Sequence, residues 1–331
     1  MARMKFWQAI NQGFVEEMER DPDVFILGED VGLYGGTFKV TEGLFERFGP
    51  RRVLDTPIAE NGFVGMAIGA AITGLRPVVE LMSIDFASIA MDQIVSQAAK
   101  MRYMFGGGCK VPMVIRMPEG TGTQKGAQHS QCLESWFVHI PGLKVVIPST
   151  PAEVKGLLVS SIRDDNPVVF IEHEKLYNMM GEVPEGEYTV PIGEADIKRK
   201  GEDVTLLTYA YMTHVSLKAA EELEADGISV EVIDLRTLRP LDEEAILKSV
   251  KKTNRVIIVE EDVITMGMGA ELAAIISEKG FFDLDAPIIR VAGKDVPIPY
   301  SKELEKMAIP NIDEIKTAVK KTLYREDGGW D

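Results

Sequence analysis

The sequence predicts an α/β protein with parallel sheets, arranged as two domains. Two observations carry this reading. Short continuous apolar runs alternate with amphipathic or small-residue stretches of helical length, the pattern of a parallel sheet covered on both faces. The rhythm breaks over residues 174–202 and then resumes, and a chain of 331 residues accommodates two domains of roughly 100–200 residues each.

The elements follow in order. Phe6, Ile10 and Phe14 at i, i+4 spacing predict a helix over 4–20 with one buried stripe. VFILGE (24–29) is continuous and apolar and reads as a buried strand, and RRVLDTP (51–57) and RPVVELM (76–82) repeat the pattern. Between these two, NGFVGMAIGAAITG (61–74) is rich in Gly and Ala and predicts a helix packed closely against another backbone. DFASIAMDQIVSQAAKMRYMF (85–105) predicts one long helix. VPMVIRMP (111–118), LKVVIPS (143–149) and PVVFIEH (167–173) complete the strands of a first domain over 1–175. Residues 176–202 carry Gly, Pro, Glu and Lys with little apolar periodicity and read as a linker. In a second domain over 203–331, strands are expected at 203–209, 229–235, 255–261 and 287–293. Helices are expected there at 213–226, 242–252, 267–279 and 311–323.

Composition narrows the function classes. Acidic residues outnumber basic ones 52 to 36, a net charge of −16, which disfavours nucleic acid and anionic membrane surfaces. No apolar run reaches the ~20 residues that span a bilayer. The start, MARMKFWQAINQGF, lacks the apolar core of a secretory signal. Two cysteines cannot form a disulfide framework, so a reducing compartment, the cytoplasm, is expected.

Three segments offer chemistry. Glu60, in DTPIAENGF, lies just past a strand, where open α/β sheets place their ligands. Flanked by Ile58, Ala59 and Phe63, its carboxyl is expected to be desolvated, with a raised pKa suited to proton exchange. The plainer alternative is a first-turn glutamate favoured by the helix dipole. GEDVGLYGGTFKVTEGL (28–44) places Glu29 and Asp30 after a buried strand and ahead of a glycine-rich loop. It lacks the spacing of a dinucleotide fingerprint and reads either as an active-site loop or as a plain connection. QKGAQHSQCLESWF (124–137) places His129 in a polar loop, able to relay protons or contact an anion, or simply exposed. Cys132 nearby raises a Cys/His nucleophile, but buried free cysteines are usually inert. Walker, HExxH, GxSxG and CxxC motifs are absent, as is a Gly-Asp-Gly…Asn element that would hold a magnesium diphosphate. FGGG (105–108) precedes a strand and reads as a turn.

Taken in order, GEDVGLYGG, RVLDTPIAENGFVGMAIGAAITGLRPVVE, DFASIAMDQIVSQAAKMRYMFGG, GAQHSQCLESWFVHIPGLKVV, SSIRDDNPVVFIEH, DLRTLRPLD and PIPYSKELEKMAIPNIDEI resemble one family across essentially the whole chain. It is the β subunit of the E1 component of thiamine-diphosphate-dependent 2-oxo acid dehydrogenase complexes, a plan shared by acetoin dehydrogenase β subunits. The resemblance implies a transketolase-like pyrimidine-binding domain with a parallel sheet, followed by a transketolase C-terminal α/β domain. It also implies an α2β2 heterotetramer in which the α subunit holds the diphosphate through Mg2+. The missing Gly-Asp-Gly…Asn element agrees with that division.

Roles are implied position by position. Glu60 resembles the glutamate that hydrogen-bonds N1′ of the aminopyrimidine, and Phe86 the aromatic stacked on its face. Glu29, Tyr34 and Ile58 match positions lining the same pocket. His129 resembles the histidine near the substrate and the incoming lipoyl group. A structural potassium ion, ligated largely by carbonyls, is implied at Met113, Ser161, Ile162, Asp164 and Asn166. The implied activity is decarboxylation of a 2-oxo acid, pyruvate first, with acyl transfer to the lipoyl group of E2. Ile89 stands where many pyruvate-type subunits have Gln, and several segments look closer to acetoin-type subunits, so acetoin cleavage is the alternative. A non-catalytic subunit docking E1 onto E2 is a rival of another class. A nicotinamide oxidoreductase is disfavoured by the missing fingerprint.

Overall fold

A computed structural model describes residues 1–323, which fall into two compact units. Residues 324–331, the end of the expected second domain, lie outside the described residues. The first unit comprises Met1–Glu119 and Trp136–Ile192, and the second Gly120–Ser135 and the chain from Gly193 onward.

The first unit opens with β1 (Ala2–Lys5) and α1 (Phe6–Arg20). The i, i+4 stripe of α1 is buried as its spacing predicts: Phe6, Ile10, Phe14 and Met18 all face inward. β2 (Val24–Gly28) is buried throughout. The short α2 (Leu44–Phe48) and β3 (Val53–Asp55) lead to α3 (Glu60–Ile72) and β4 (Arg76–Glu80). The long helix expected over 85–105 is instead segmented. A 3-10 turn at Ile84–Phe86 precedes α4 (Ala87–Met91), a π-helical stretch at Asp92–Ala98 and α5 (Ala99–Met104). Apolar spacing signals a helix but is blind to a local change from four- to five-residue hydrogen bonding.

β5 (Val114–Glu119) follows, and α6 (Glu134–Val138) comes next in the chain. β6 (Lys144–Val146) is followed by α7 (Pro151–Arg163), whose start is set by a Thr150/Glu153 capping box with Pro151 at its first position. α7 packs on α1. β7 (Val168–His173) completes a parallel sheet in the order β6-β7-β5-β4-β2-β3. Gly28 ends β2 because the neighbouring strand leaves no room for a side chain. A Cβ there would stand 2.7 Å from the Glu80 carbonyl oxygen.

Residues 174–202 are more ordered than their composition suggests. They contain β8 (Met180–Val183), antiparallel to β1, and β9 (Asp196–Arg199). α3 packs closely on β4, α4 and the π-helical stretch through Gly65, where a Cβ would stand 3.1 Å from Gln93 Oε1, but its other face is open. A Cβ at Gly69 would meet nothing within 4 Å, and Met66 and Ile72 are exposed.

The second unit is built on β10 (Val204–Thr208), α8 (Ala210–Ala225), β11 (Val230–Asp234), a short β12 (Thr237–Arg239) and α9 (Glu243–Thr253). Then come β13 (Val256–Val263), α10 (Met268–Lys279), β14 (Ile289–Gly293), α11 (Lys302–Ala308) and α12 (Ile312–Thr322). Its sheet runs β14-β13-β10-β11-β9, parallel except for the antiparallel β9 at one edge. Val204, Leu206, Val230, Val232, Ile257 and Val259 of this sheet pack with Leu223, Ile315 and Val319 into one core. Among the described residues, no helix is long and apolar enough to cross a membrane.

Candidate functional site

The first-unit candidates converge on one edge of the sheet. Glu29 follows β2, Glu60 follows β3 and opens α3, and Phe86 follows β4. β4, β2 and β3 are adjacent and parallel, so all three residues stand past strand carboxyl ends, where open α/β sheets bind ligands. The Thr56 N–H donates to the Gly28 carbonyl at 2.9 Å and ties the segment approaching Glu60 to the end of β2.

Glu29 is 8% exposed and Glu60 4%. Burial pushes the Glu29 carboxyl above the ordinary glutamate range, and the charges of Glu60 and Asp30 add to the effect. Glu29 Oε1 is buried without a hydrogen-bond partner, a cost the fold bears unless a donor arrives. Phe86 is half-buried at the end of its 3-10 turn, beside a Ser83–Asp85 hydrogen bond of 2.6 Å. Ile58 is 83% exposed and Tyr34 is exposed as well, so both apolar groups face outward from this edge's loops.

The glycine-rich loop is an ordered structure. Gly32 donates its N–H to Asp55 Oδ1 at 2.6 Å, and the Asp55 carboxylate occupies the space a side chain would need. Gly35 and Gly36 turn at φ +77° and +79°, a conformation other residues rarely adopt. Thr41 Oγ1 donates to the Val31 carbonyl at 2.7 Å, and Phe38 stacks on Tyr177 at 4.6 Å between ring centres. Lys39 Nζ donates to the Tyr34 carbonyl at 2.7 Å and sits over its ring, fixing Tyr34.

Beneath this edge lies a buried charge network that the sequence reading missed. Arg116 pairs with both Glu80 and Glu172, and the Tyr177 hydroxyl donates to Glu172 at 2.7 Å. Burial works against the Arg116 charge, but the two carboxylates outweigh it and hold the guanidinium protonated. Burial pushes the Glu80 carboxyl up, an effect Arg116 opposes. Tyr177 links this network to the stacked Phe38 and so to the glycine-rich loop.

Of the implied ion ligands, Ser161, Ile162, Asp164 and Asn166 lie in the last turn of α7 and just after it, and Met113 lies just before β5. The Ile162 and Asp164 carbonyls face one nitrogen of Arg76 at 3.0 and 3.1 Å, so these dipoles already converge on a cation. The Ser161 and Met113 carbonyls accept from Asp164 and Val168 N–H groups. The Asn166 side chain bonds Asp164 at 2.8 Å and Arg102 at 2.6 Å. Each carbonyl has a second lone pair, the oxygen donor type that a hard cation takes, but the Arg76 charge already stands against two of them.

In the second unit, His129 is exposed in the 120–135 segment, its backbone N–H donating to the Gly126 carbonyl at 3.3 Å. Cys132 is buried, in keeping with an inert thiol. Close to the segment's end, the Tyr209 hydroxyl faces Glu134 at 2.7 Å and Glu260 at 3.3 Å. Burial and the neighbouring Asp262 charge push Glu134 up to about 8. Burial likewise pushes Glu260 up to about 7, although the Gly269 N–H bonded to it opposes the shift. These groups are spread over the sequence, and no local motif marked them.

Comparison with known proteins adds to this geometry. The family described as transketolase, pyrimidine binding domain, matches residues 2–180, and transketolase, C-terminal domain, matches residues 193–315. The chain is 52% identical over 320 residues to the pyruvate dehydrogenase E1 component subunit beta of Porphyra purpurea, covering 97% of each chain. It is 50% identical over 326 residues to the protein of the same description from Rhizobium meliloti, covering 98% of this chain and 71% of that one. It is 49% identical over 322 residues to the 2-oxoisovalerate dehydrogenase subunit beta of Bacillus subtilis, covering 97% and 98%. A solved structure titled split gene transketolase, inactive beta4 tetramer, shares the fold at a TM-score of 0.80 and 23% identity, covering 98% and 99% of the two chains.

Proposed function

The chain belongs to the transketolase-like β subunits of the E1 component of 2-oxo acid dehydrogenase complexes, and from this premise we propose that it supplies the pyrimidine-holding half of a thiamine-diphosphate site completed by an α subunit in an α2β2 tetramer. The complex decarboxylates a 2-oxo acid, pyruvate first, and passes the acyl group to lipoyl-E2. The two-domain division of the sequence reading is kept, with its boundary inside residues 176–202, and the compartment is the cytoplasm.

The observation that carries this reading is the buried, charge-coupled pair of Glu29 and Glu60 at the sheet edge, with one Glu29 oxygen lacking a donor. An aminopyrimidine offers both a basic ring nitrogen and N–H donors, which fits such a pair. When bound, thiamine diphosphate supplies the nucleophilic carbon and the electron sink for decarboxylation. Glu60 would hydrogen-bond the pyrimidine N1′ and exchange a proton with it. The raised carboxyl of Glu29 keeps a second negative charge from accumulating beside it. Phe86 would stack on the pyrimidine face, and Tyr34 and Ile58, exposed on this chain, would line the pocket around it. His129 steadies the substrate anion and relays a proton toward the lipoyl group. Mg2+ belongs to the α subunit, and K+ would sit among the carbonyls of Met113, Ser161, Ile162 and Asp164, with Asn166.

Acetoin is the second reading, favoured by Ile89, an apolar side chain that is exposed rather than packed in the core. The test is a reconstituted α/β complex assayed with pyruvate, 2-oxoisovalerate and acetoin, with a lipoyl domain as acceptor. Fastest turnover of pyruvate is expected. Faster acetoin cleavage would move the assignment to the second reading. An assembled complex that turns over none of the three would favour the non-catalytic scaffold.

A further inference from the structure

We propose that Glu305, on α11, is a positioning residue that sets the histidine loop, together with its neighbour Tyr300. The proposal rests on the reading of His129 as the group that meets the substrate. Segment 120–126 has an unusual backbone: Gly120, Gly122, Gln124 and Gly126 all have positive φ, between +58° and +100°. Such a run turns successive N–H groups outward instead of pairing them within a helix or strand, so it needs acceptors from elsewhere.

The second unit supplies them as carboxylates. Glu305 is 3% exposed, and its Oε1 accepts the Gly122 N–H at 2.7 Å and the Gln124 N–H at 3.3 Å. Glu261 Oε1 accepts the Thr121 N–H at 2.7 Å. The Tyr300 ring lies against Gly126, where a Cβ would overlap it. At the far end of the segment, Ser135 Oγ donates to Asp262 at 2.6 Å and Glu134 meets Tyr209. His129 therefore stands between two anchored ends, three residues past the glycine under Tyr300.

Glu305 bonds two backbone donors through one buried oxygen and touches no reacting atom in this arrangement. Its effect reaches the chemistry by fixing where His129 stands. Charge-assisted bonds of this kind are stronger than neutral ones, and a displacement of about 1 Å in a catalytic group can cost up to a hundredfold in rate. The closing PIPYSKELEKMA segment thereby acquires a role in catalysis as well as in the fold.

The test is a mutant cycle in the reconstituted α/β complex, with the rate of lipoyl acylation and the affinity for thiamine diphosphate measured separately. Glu305→Ala is expected to lower kcat roughly tenfold to a hundredfold while leaving cofactor affinity unchanged. Glu305→Gln, whose amide oxygen still accepts both N–H groups, is expected to stay within about threefold of the wild type. In a His129→Ala background, Glu305→Ala should add no further loss, because the group it positions is gone. Should Glu305→Ala fail to fold, Gly126→Ala, which displaces Tyr300, gives the same comparison. A slow His129→Ala enzyme alongside a full-rate Glu305→Ala enzyme would overturn the positioning role, as would losses that multiply in the double variant. A full-rate His129→Ala enzyme would overturn the reading of His129 itself, and the proposal with it.

Discussion

At the scale of single residues, two buried charge clusters have measurable consequences. Arg116 holds two buried carboxylates together, so Arg116→Met leaves Glu80 and Glu172 without a countercharge. Breaking one side of such a pair costs about 3–5 kcal/mol, and denaturant unfolding of the variant should show a loss of that order. A loss under about 1 kcal/mol would mean that the carboxylates find other partners. Glu134 gives a pH dependence. Its pKa in the folded chain is raised to about 8, so the folded state binds more protons than the unfolded state between about pH 4.5 and 8. The stability it contributes is complete below that window and is lost as pH rises through about 8. Glu134→Gln, always neutral, should therefore gain stability relative to the wild type on going from pH 5.5 to pH 9, and an unchanged difference across that range would contradict the assignment. None of these residues was legible in the sequence, because no local motif carries them, unlike Glu60. Glu60 sits in DTPIAENGF and could be singled out from its neighbours. Arg116 and its partners are 36 and 56 residues apart, and each reads alone as an ordinary strand residue.

At the scale of elements, the βα rhythm was readable because strands buried on both faces are continuous apolar runs, as β2 and β7 show. β8 and β9 were not readable. They are four residues each and only Val183 among them is buried, so no apolar run marks them. The π stretch within 92–98 was hidden for a different reason, since its residues have ordinary helical composition and only the hydrogen-bonding register changes. Gly28 shows how one glycine sets a strand pair. Gly28→Ala would push a Cβ toward the Glu80 carbonyl oxygen and part β2 from β4 at the edge that bears Glu29. It is expected to lower the unfolding midpoint and weaken thiamine diphosphate binding together. Weakened binding at an unchanged midpoint would show that the strand ends can shift without cost to the fold.

At the scale of the whole molecule, the grouping of 120–135 with the second unit was beyond the sequence. It depends on backbone N–H groups that reach carboxylates 140 and 183 residues away. The acidic balance of the chain still speaks against nucleic acid, while the family assignment supplies what composition lacked, an active site built from more than one chain. We propose that Glu60 is the proton-holding residue of that shared site. Its most direct test is the rate at which the α/β complex, with wild-type β or with Glu60→Gln, decarboxylates pyruvate and acylates a lipoyl domain. Loss of turnover by at least about a hundredfold, with the tetramer intact by sedimentation, is the predicted result. Turnover by the Glu60→Gln complex close to that of the wild type would contradict it.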